Sequence, residues 1–487
     1  MSLVGADSLL SLQETVSAVK AKICIGKNKP ETFSFTSVTT DSRSVEALSL
    51  FVPLIGENQD GHKYILQAVR KGASVVFAVQ SSYDSLESAD RAEIEKSCAV
   101  IFVENTLSAL QAAAAAYVKK FPDLIRVGIT GSNGKTTTKE ITVSLLSRHY
   151  NVIATQGNFN SETGLPLSVF NIRKEHQVGV FEMGMNRRGE ITELANVLFP
   201  EFAIITNIGT AHIGILGSKH AIAEEKKQIF SNFSSKSVGF VPEKDEYASF
   251  LQDVPAGSVK LFGRVTQAAS VTDVEPAGLD GTAFRYYGRQ VRFPLPGTYN
   301  FNNMLAAVSL AETLGLSKDE IIAGIEAVKP LFGRSNISRG NFTVVEDCYN
   351  ANAESMMEAV SFYGSVETKG KKVFVLADML ELGDESERIH AEAGMKAASS
   401  GADVLVFVGS QMAYGAQAAR KAAESAEKGK AASVQVMAES DISDASVAAL
   451  AERLVSLAGE GDMFLVKGSR GMRLERITEV LKKAAAK

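Results

Sequence analysis

The 487-residue sequence is poor in the features that mark several large classes of protein. It carries only 3 cysteines, Cys24, Cys98 and Cys348, too scattered to form a C-x-x-C pair. That spacing suits reduced thiols in a cytosolic compartment and excludes a zinc or disulfide framework. No apolar run reaches the ~20 residues of a spanning helix, so no membrane insertion is expected. The opening, MSLVGADSLLSLQETVSAVKAKICIG, sets Asp7 and Glu14 within its apolar pattern and has no basic stretch before a long apolar core. A signal peptide is therefore not expected. Neither charge dominates: 51 Lys+Arg against 56 Asp+Glu leave a formal net charge of -5. No nucleic acid or anionic membrane is expected as partner on that balance. There is no repeat at solenoid spacing and no low-complexity tail beyond KKAAAK. The expectation is a cytoplasmic protein, taken as a monomer, that acts on small molecules.

What is present is ordinary globular sequence, 45% hydrophobic and 22% charged. The length exceeds what one core usually organises, so several domains are expected. The first ~120 residues mix short β-rich pieces (SFTSVTT, LSLFVPLIG, ASVVFAV, AVIFVE) with helical ones. Between two of them, residues 81–99 are polar and read as a surface excursion. LSALQAAAAAYVKKF is an alanine-rich helix, and Pro122-Asp123 after it is a domain joint. From Leu124, apolar strands LIRVGIT, QVGVFEM and EFAIITNIG alternate with helical segments, as in a mostly parallel sheet. A third block opens at NFTVVEDC and continues through KKVFVLAD, ADVLVFVG, ASVQVMA and GDMFLVKG, the order of a Rossmann-like domain. The fold class is α/β in three domains, 1–122, 123–330 and 331–487.

The chemistry starts at RVGITGSNGKTTTKE, Arg126 to Glu140. It resembles the phosphate loop G-x-x-x-x-G-K-[ST], yet Ile129 stands where the first glycine belongs and the glycine is Gly128. The loop follows a strand and opens a helix near Lys135. Gly131 and Gly134, with Ser132 and Asn133 between them, let backbone N–H groups converge on phosphate oxygens at a helix N-terminus. Lys135 is placed for the β- and γ-phosphates, and the hydroxyl of Thr136, with Thr137 behind it, for a magnesium ion.

Two later strands end in residues that a metal-phosphate site needs. VGVFEMG delivers Glu182, and AIITNIG delivers Asn207, with His212 close behind. Ligands of open parallel sheets collect beyond the carboxyl ends of strands. There His212 is either a loop residue or a metal ligand beside Glu182. In SKHAIAEEKKQIFSNF, steps of 100° put Ile222, Ile229, Phe230 and Phe233 on one stripe with Lys226 in its middle and Lys227 to the side. A lysine on an apolar face must snorkel, pair or be chemically altered.

GITGSNGKTTTKE, FEMGMNRRGEI, NIGTAHIGILGS and EEKKQIF together resemble the central domain of the Mur ligases, which build the peptide stem of the bacterial cell wall. TTDSRSVEALSLFVPLIGENQDGHKYI is similar to a first-domain signature of that family. PGTYNFNNMLAA, VVEDCYNANAESMMEAV, LADMLELGDESERIH and LVKGSRGMRLE point to its dipeptide-adding member. These blocks span roughly residues 36 to 476 in consistent order.

The resemblance implies an ATP- and Mg2+-dependent amide ligase. It implies transfer of D-Ala-D-Ala (D-alanyl-D-alanine) to the peptide carboxylate of UDP-MurNAc-tripeptide through an acyl phosphate. It assigns Lys135 and Thr136 to ATP phosphates and metal, Glu182 and His212 to metal, and Lys226 to carbamylation, which makes it a carboxylate-like ligand. It assigns Asn303 to adenine, Arg334 to phosphate and Asp347 to the ribose side. Asp41, Ser42 and Arg43 match the uridine-nucleotide segment, and Asn158 and Asn160 lie in the loop facing the substrate. Three positions depart from the family pattern: Tyr299 replaces a histidine, Ala377 a glycine and Ala353 a proline. The rivals are the ligase that adds the third stem residue, folylpolyglutamate synthase and a nucleotide switch protein, for which no N-K-x-D segment is present.

Overall fold

The computed structural model describes residues 8–21, 24–26, 34–56, 59–425 and 434–486. The first residues of the expected strand ASVQVMA lie outside them. By internal contacts the chain forms two compact units, one of Met1–Ile129, Tyr150–Ala203 and Gln228–Val238, the other of Thr130–His149, Ile204–Lys227 and Gly239–Lys487. No described helix is long and apolar enough to cross a membrane.

In the first unit a five-stranded sheet runs in the order Cys24–Gly26, Ala99–Phe102, Ala73–Ala78, Ser49–Phe51, Ser37–Thr39. Its first pair is antiparallel and the rest are parallel. Every residue of Ala73–Ala78 is buried, as continuous apolar runs of parallel strands require. The stretch expected as a polar excursion is helical: Gln80–Asp84 and Ser88–Ser97 pack only Tyr83 and Ile94 inward. Two buried positions are too few to show as a periodic stripe, so from sequence the stretch shows only its polar, surface character. The alanine-rich helix is observed at Thr106–Val118, opened by Asn105, whose side chain accepts the Ser108 N–H at 2.8 Å.

The middle of the chain supplies a six-stranded sheet in the order Ser258–Phe262, Val238–Pro242, Phe202–Ile205, Ile125–Thr130, Val178–Glu182, Val152–Ala154. Val178–Glu182 pairs in parallel with Ile125–Ile129 and with Val152–Ala154. Strand ends and their following loops therefore gather at one edge, where Glu182 terminates its strand. A three-stranded antiparallel sheet, Val271–Pro276, Thr282–Tyr286 and Arg289–Phe293, interrupts the α/β alternation.

In the second unit, six strands run in the order Asn336–Arg339, Thr343–Asp347, Met463–Lys467, Lys372–Ala377, Val404–Val408, Gln435–Glu439. Only the first pair is antiparallel. Alternate side chains of each strand enter opposite layers: Phe374, Leu376 and Leu465 one way, Val373, Val375 and Phe464 the other. Each such large side chain is fully buried and contributes about 1.5–3 kcal/mol of transfer free energy. The parallel order carries Asp347 and Lys467 to neighbouring strand ends.

Candidate active site

The phosphate-type loop grows out of the Ile125–Thr130 strand and ends on the helix Lys135–Leu146. Gly128 belongs to the strand, where a Cβ would meet Met183 Sδ at 2.9 Å and Ile229 Cδ1 at 3.2 Å. It is a packing glycine, which explains the apparent one-place error in the motif. The glycines that shape the loop are Gly131 (φ +150°) and Gly134 (φ +78°), backbone conformations costly for any other residue.

Side chains hold this loop open. Asn207 accepts the Ser132 N–H on its carbonyl at 3.1 Å and the Asn133 N–H on Oδ1 at 2.9 Å. Thr206 Oγ1 donates to the Asn133 carbonyl. Ser132 Oγ accepts the Gly209 N–H at 2.8 Å. Asn352 Nδ2 donates to Asn133 Oδ1 at 2.7 Å, from a position 219 residues away. Lys135 folds its ammonium back onto the Gly131 carbonyl at 2.8 Å. Arg334 Nη2 donates to Thr136 Oγ1 at 2.9 Å, and its guanidinium lies over the Tyr349 ring at 4.2 Å. Asn303 sits against the loop, since a Cβ on Gly134 would come within 2.6 Å of its Oδ1. Thr137 and Arg334 line a small pocket with Leu295, Val328 and Leu331.

Lys226 lies in the helix Lys219–Lys227 and is 1% exposed. Lys227 leaves the apolar stripe instead, donating to the Phe250 carbonyl at 2.7 Å. Burial, and then the positive charge of Lys135, push the Lys226 ammonium well below the usual lysine range. His212 takes a left-handed φ of +66° ahead of the short helix Ile213–Leu216. Its Nδ1 is 3.2 Å from Glu381 Oε2, close enough for an ion pair but out of line for a hydrogen bond. The facing imidazole holds the Glu381 carboxyl below its ordinary range.

Asp347 accepts the Ser335 N–H on Oδ1 at 3.1 Å and the Lys467 ammonium on Oδ2 at 2.7 Å. Tyr299, the residue that departs from the family histidine, is half-buried and pairs its hydroxyl with Ser335 Oγ at 2.9 Å. Burial raises its phenol pKa, so the neutral form is kept and serves that bond. The substitution therefore supports Asp347 through Ser335.

The remaining expected residues belong to the first unit. Glu182 is 2% exposed, receives Asn160 Nδ2 on Oε1 at 2.7 Å, and takes its backbone bond from its own N–H to Thr155 Oγ1 at 2.9 Å. Asn160 donates its N–H to the Asn158 carbonyl at 2.8 Å, so the two asparagines form one turn. Asp41 caps the turn Ser42–Ser44 and binds Arg43 through two nitrogens at 2.9 and 2.8 Å. Arg43 pulls the Asp41 carboxyl down to about 2. Ser42 is buried and donates to Gln67 Oε1 at 3.0 Å.

Two residues with no role assigned from sequence, Asn352 and Glu381, build this site beside Asn207. Asn207 was visible only as a strand end, while Asn352 and Glu381 act across large separations that leave no local signal.

A strained glycine loop at a helix start, a lysine and a threonine behind it, and a suppressed lysine nearby define a nucleotide-using class of enzyme. Family profiles match in series: "Mur ligase family, catalytic domain" over residues 34–118, "Mur ligase middle domain" over 129–311, and "Mur ligase, glutamate ligase domain" over 333–470. The chain belongs to the Mur ligase family. It is 43% identical to the UDP-N-acetylmuramoyl-tripeptide--D-alanyl-D-alanine ligase of Treponema pallidum, over 98% of this chain and 99% of the relative. The enzyme of the same name in Bacillus subtilis is 34% identical, over 91% and 92%. Among solved structures, MurF from Acinetobacter baumannii superposes with a TM-score of 0.83 at 28% identity, covering 98% of this chain and all 100% of that one. MurF from Thermotoga maritima, solved with ADP, gives 0.76 at 26% identity over 92% and 97%.

Proposed function

We propose that this chain joins D-alanyl-D-alanine to the terminal carboxylate of UDP-MurNAc-tripeptide, consuming ATP and releasing ADP and phosphate. What carries the reading is the end-to-end likeness to the Treponema pallidum ligase, 43% identical over 98% of the chain. The domain division at about 123 and 330 is part of the proposal.

A carboxylate does not condense with an amine in water because oxide is a poor leaving group. Phosphoryl transfer from ATP to the carboxylate forms an acyl phosphate, and the dipeptide amine then displaces phosphate. The first step is mostly positioning and charge neutralisation. The amides of Ser132 and Asn133 are engaged by Asn207. Phosphate oxygens therefore fall to the amides from Gly134 onward, at the positive end of a helix. Lys135 exchanges the Gly131 carbonyl for β- and γ-oxygens, and Arg334 reaches the same group from Thr136. Asn303 and Asp347 take the adenine and ribose sides. Asp41, Ser42 and Arg43 receive the uridine nucleotide, and Asn158 and Asn160 the peptide end.

The donor set suits magnesium. Among the described residues no three His, Cys, Asp or Glu side chains stand together. Magnesium prefers one or two carboxylates with hydroxyl, phosphate and water oxygens, donors that Glu182, Thr136 and a bound nucleotide would offer. Thr136, His212 and Lys226 would hold it, with Glu182 assigned by the family pattern; when bound it neutralises charge on the transferring phosphoryl group. Lys226 qualifies as a ligand only after modification. Its suppressed ammonium favours the neutral amine, which adds to carbon dioxide and loses a proton to give a carbamate anion.

The test is direct. Incubate the protein with ATP, Mg2+, UDP-MurNAc-tripeptide and D-Ala-D-Ala, and weigh the products. A UDP-MurNAc-pentapeptide with one ADP per bond is expected. Phosphate release without that product would sink the assignment.

A further inference from the structure

The loop that carries His212 is gripped by two carboxylates from the last third of the chain. Thr210 gives Glu354 its backbone N–H at 2.8 Å and its hydroxyl at 2.9 Å, one to each carboxylate oxygen. Gly209 passes so near that a Cβ there would lie 3.0 Å from the Glu354 carboxyl carbon. Two residues beyond Thr210, His212 turns its Nδ1 to Glu381. A Cβ on Gly214 would meet the Glu381 carbonyl at 3.1 Å, so the two turns also touch through backbone.

The turn that presents Glu381 is unusually well fastened. Met379 N–H donates to His390 Nε2 at 3.0 Å, and Leu380 N–H to Ser469 Oγ at 2.9 Å. Ser469 N–H donates to the Asp378 carbonyl at 3.1 Å, while Asp378 Oδ1 accepts the Met412 N–H at 2.7 Å. Glu381 itself has φ +68°, a strained backbone that persists only where its surroundings dictate it. A surface carboxylate with no task needs neither the strain nor the anchors.

We propose that Glu381 is a positioning residue for His212: it accepts the Nδ1–H and so turns Nε2 toward the metal–phosphate site, while Glu354 fixes the loop through Thr210. The inference rests on the metal reading of His212. Histidine ligands characteristically give their second ring N–H to a carboxylate, which sets tautomer and ring orientation. The present misalignment at 3.2 Å is the looseness expected before substrates tighten such contacts. The metal site is then completed by side chains more than a hundred residues from the phosphate loop, so its quality reports on how the C-terminal part is seated.

The experiment is a titration of Mn2+ into full-length protein with ADP, read by electron paramagnetic resonance, for wild type, H212A, E381A, E381Q and E354A. H212A and E381A are expected to weaken Mn2+ binding by about 10- to 100-fold. E381Q keeps an oxygen acceptor and is expected within about threefold of wild type, far better than E381A; E354A falls between them. Equal losses in E381Q and E381A would overturn the orienting role, as would wild-type binding in E381A while H212A is weakened. Wild-type binding in H212A would instead remove the metal assignment of His212, and the inference with it. If E381A does not fold, the comparison of E381Q and E354A with H212A decides: E381Q falling as far as H212A, or E354A binding like wild type, overturns the proposal.

Discussion

Gly131→Ala is the sharpest test of the loop geometry. At φ +150° a Cβ would stand 1.8 Å from Thr206 Oγ1 and 3.0 Å from both Cβ and N of the same residue. The backbone conformation costs a non-glycine residue about 1–3 kcal/mol. The Thr206 hydroxyl must also leave its bond to the Asn133 carbonyl, a loss of about 1 kcal/mol. Together these amount to ~2–4 kcal/mol. If the loop relaxes in the free protein, nucleotide binding must restore it, and ADP affinity falls about 30- to 1,000-fold. If the loop does not relax, the same energy appears as lower thermal stability. Calorimetric ADP titration and a melting curve on the same sample capture both. Measured against Thr206→Ala alone, Gly131→Ala should cost about fivefold less in affinity, because that hydroxyl bond is already gone and only the backbone cost remains. A Gly131→Ala protein that matches wild type in both ADP affinity and melting temperature would refute the reasoning.

Replacing Lys226 by alanine is expected to lower ligation by at least ~100-fold, with partial rescue by formate, acetate or bicarbonate; unchanged activity would return the lysine to a packing role. His390 is buried, with Nε2 accepting the Met379 N–H at 3.0 Å and Nδ1 2.7 Å from the Ser386 carbonyl, and burial lowers its pKa. The unfolded chain therefore takes up this proton first. The contribution is complete above ~6.5 and is lost as pH falls toward the folded pKa, by at most about 1.4 kcal/mol per pH unit. H390Q should flatten the fall in melting temperature between about pH 6.5 and 5; parallel curves would contradict this. Lys467→Met strands the largely buried Asp347 carboxylate, whose side chain is 15% exposed, and should cost about 3–5 kcal/mol in urea unfolding. The double variant with Asp347→Asn should recover part of that loss, and additive costs would argue against a coupled pair.

Much of the site was legible because it is written in short-range pattern. The glycines, Lys135 and Thr136 lie within one loop, and the helical period placed Lys226 inside and Lys227 aside, as observed. Strand ends pointed to Glu182 and His212 through the rule that ligands gather beyond carboxyl ends of parallel strands. What stayed hidden had no period to betray it. The helices between residues 80 and 97 bury too little to form a stripe. The three short antiparallel strands from Val271 to Phe293 lie inside an α/β alternation that masks them. The meaning of Gly128 depended on Met183 standing over it.

Taken alone, the amino-acid sequence determined the α/β class, the phosphate loop and the residue types a phosphoryl-transfer site requires. These follow from local rules: which residues tolerate a left-handed turn, which alternate into a core, which carry a charge or a hydroxyl at a helix start. Tertiary structure alone decided the partners. Arg334 reaches Thr136 across 198 residues and Asn352 reaches Asn133 across 219, while Asn207 takes the amides of the loop and Glu381 faces His212. Such pairs form only after sheets and helices have packed, because a side-chain hydrogen bond needs two groups within about 3 Å and no spacing along the chain encodes that distance.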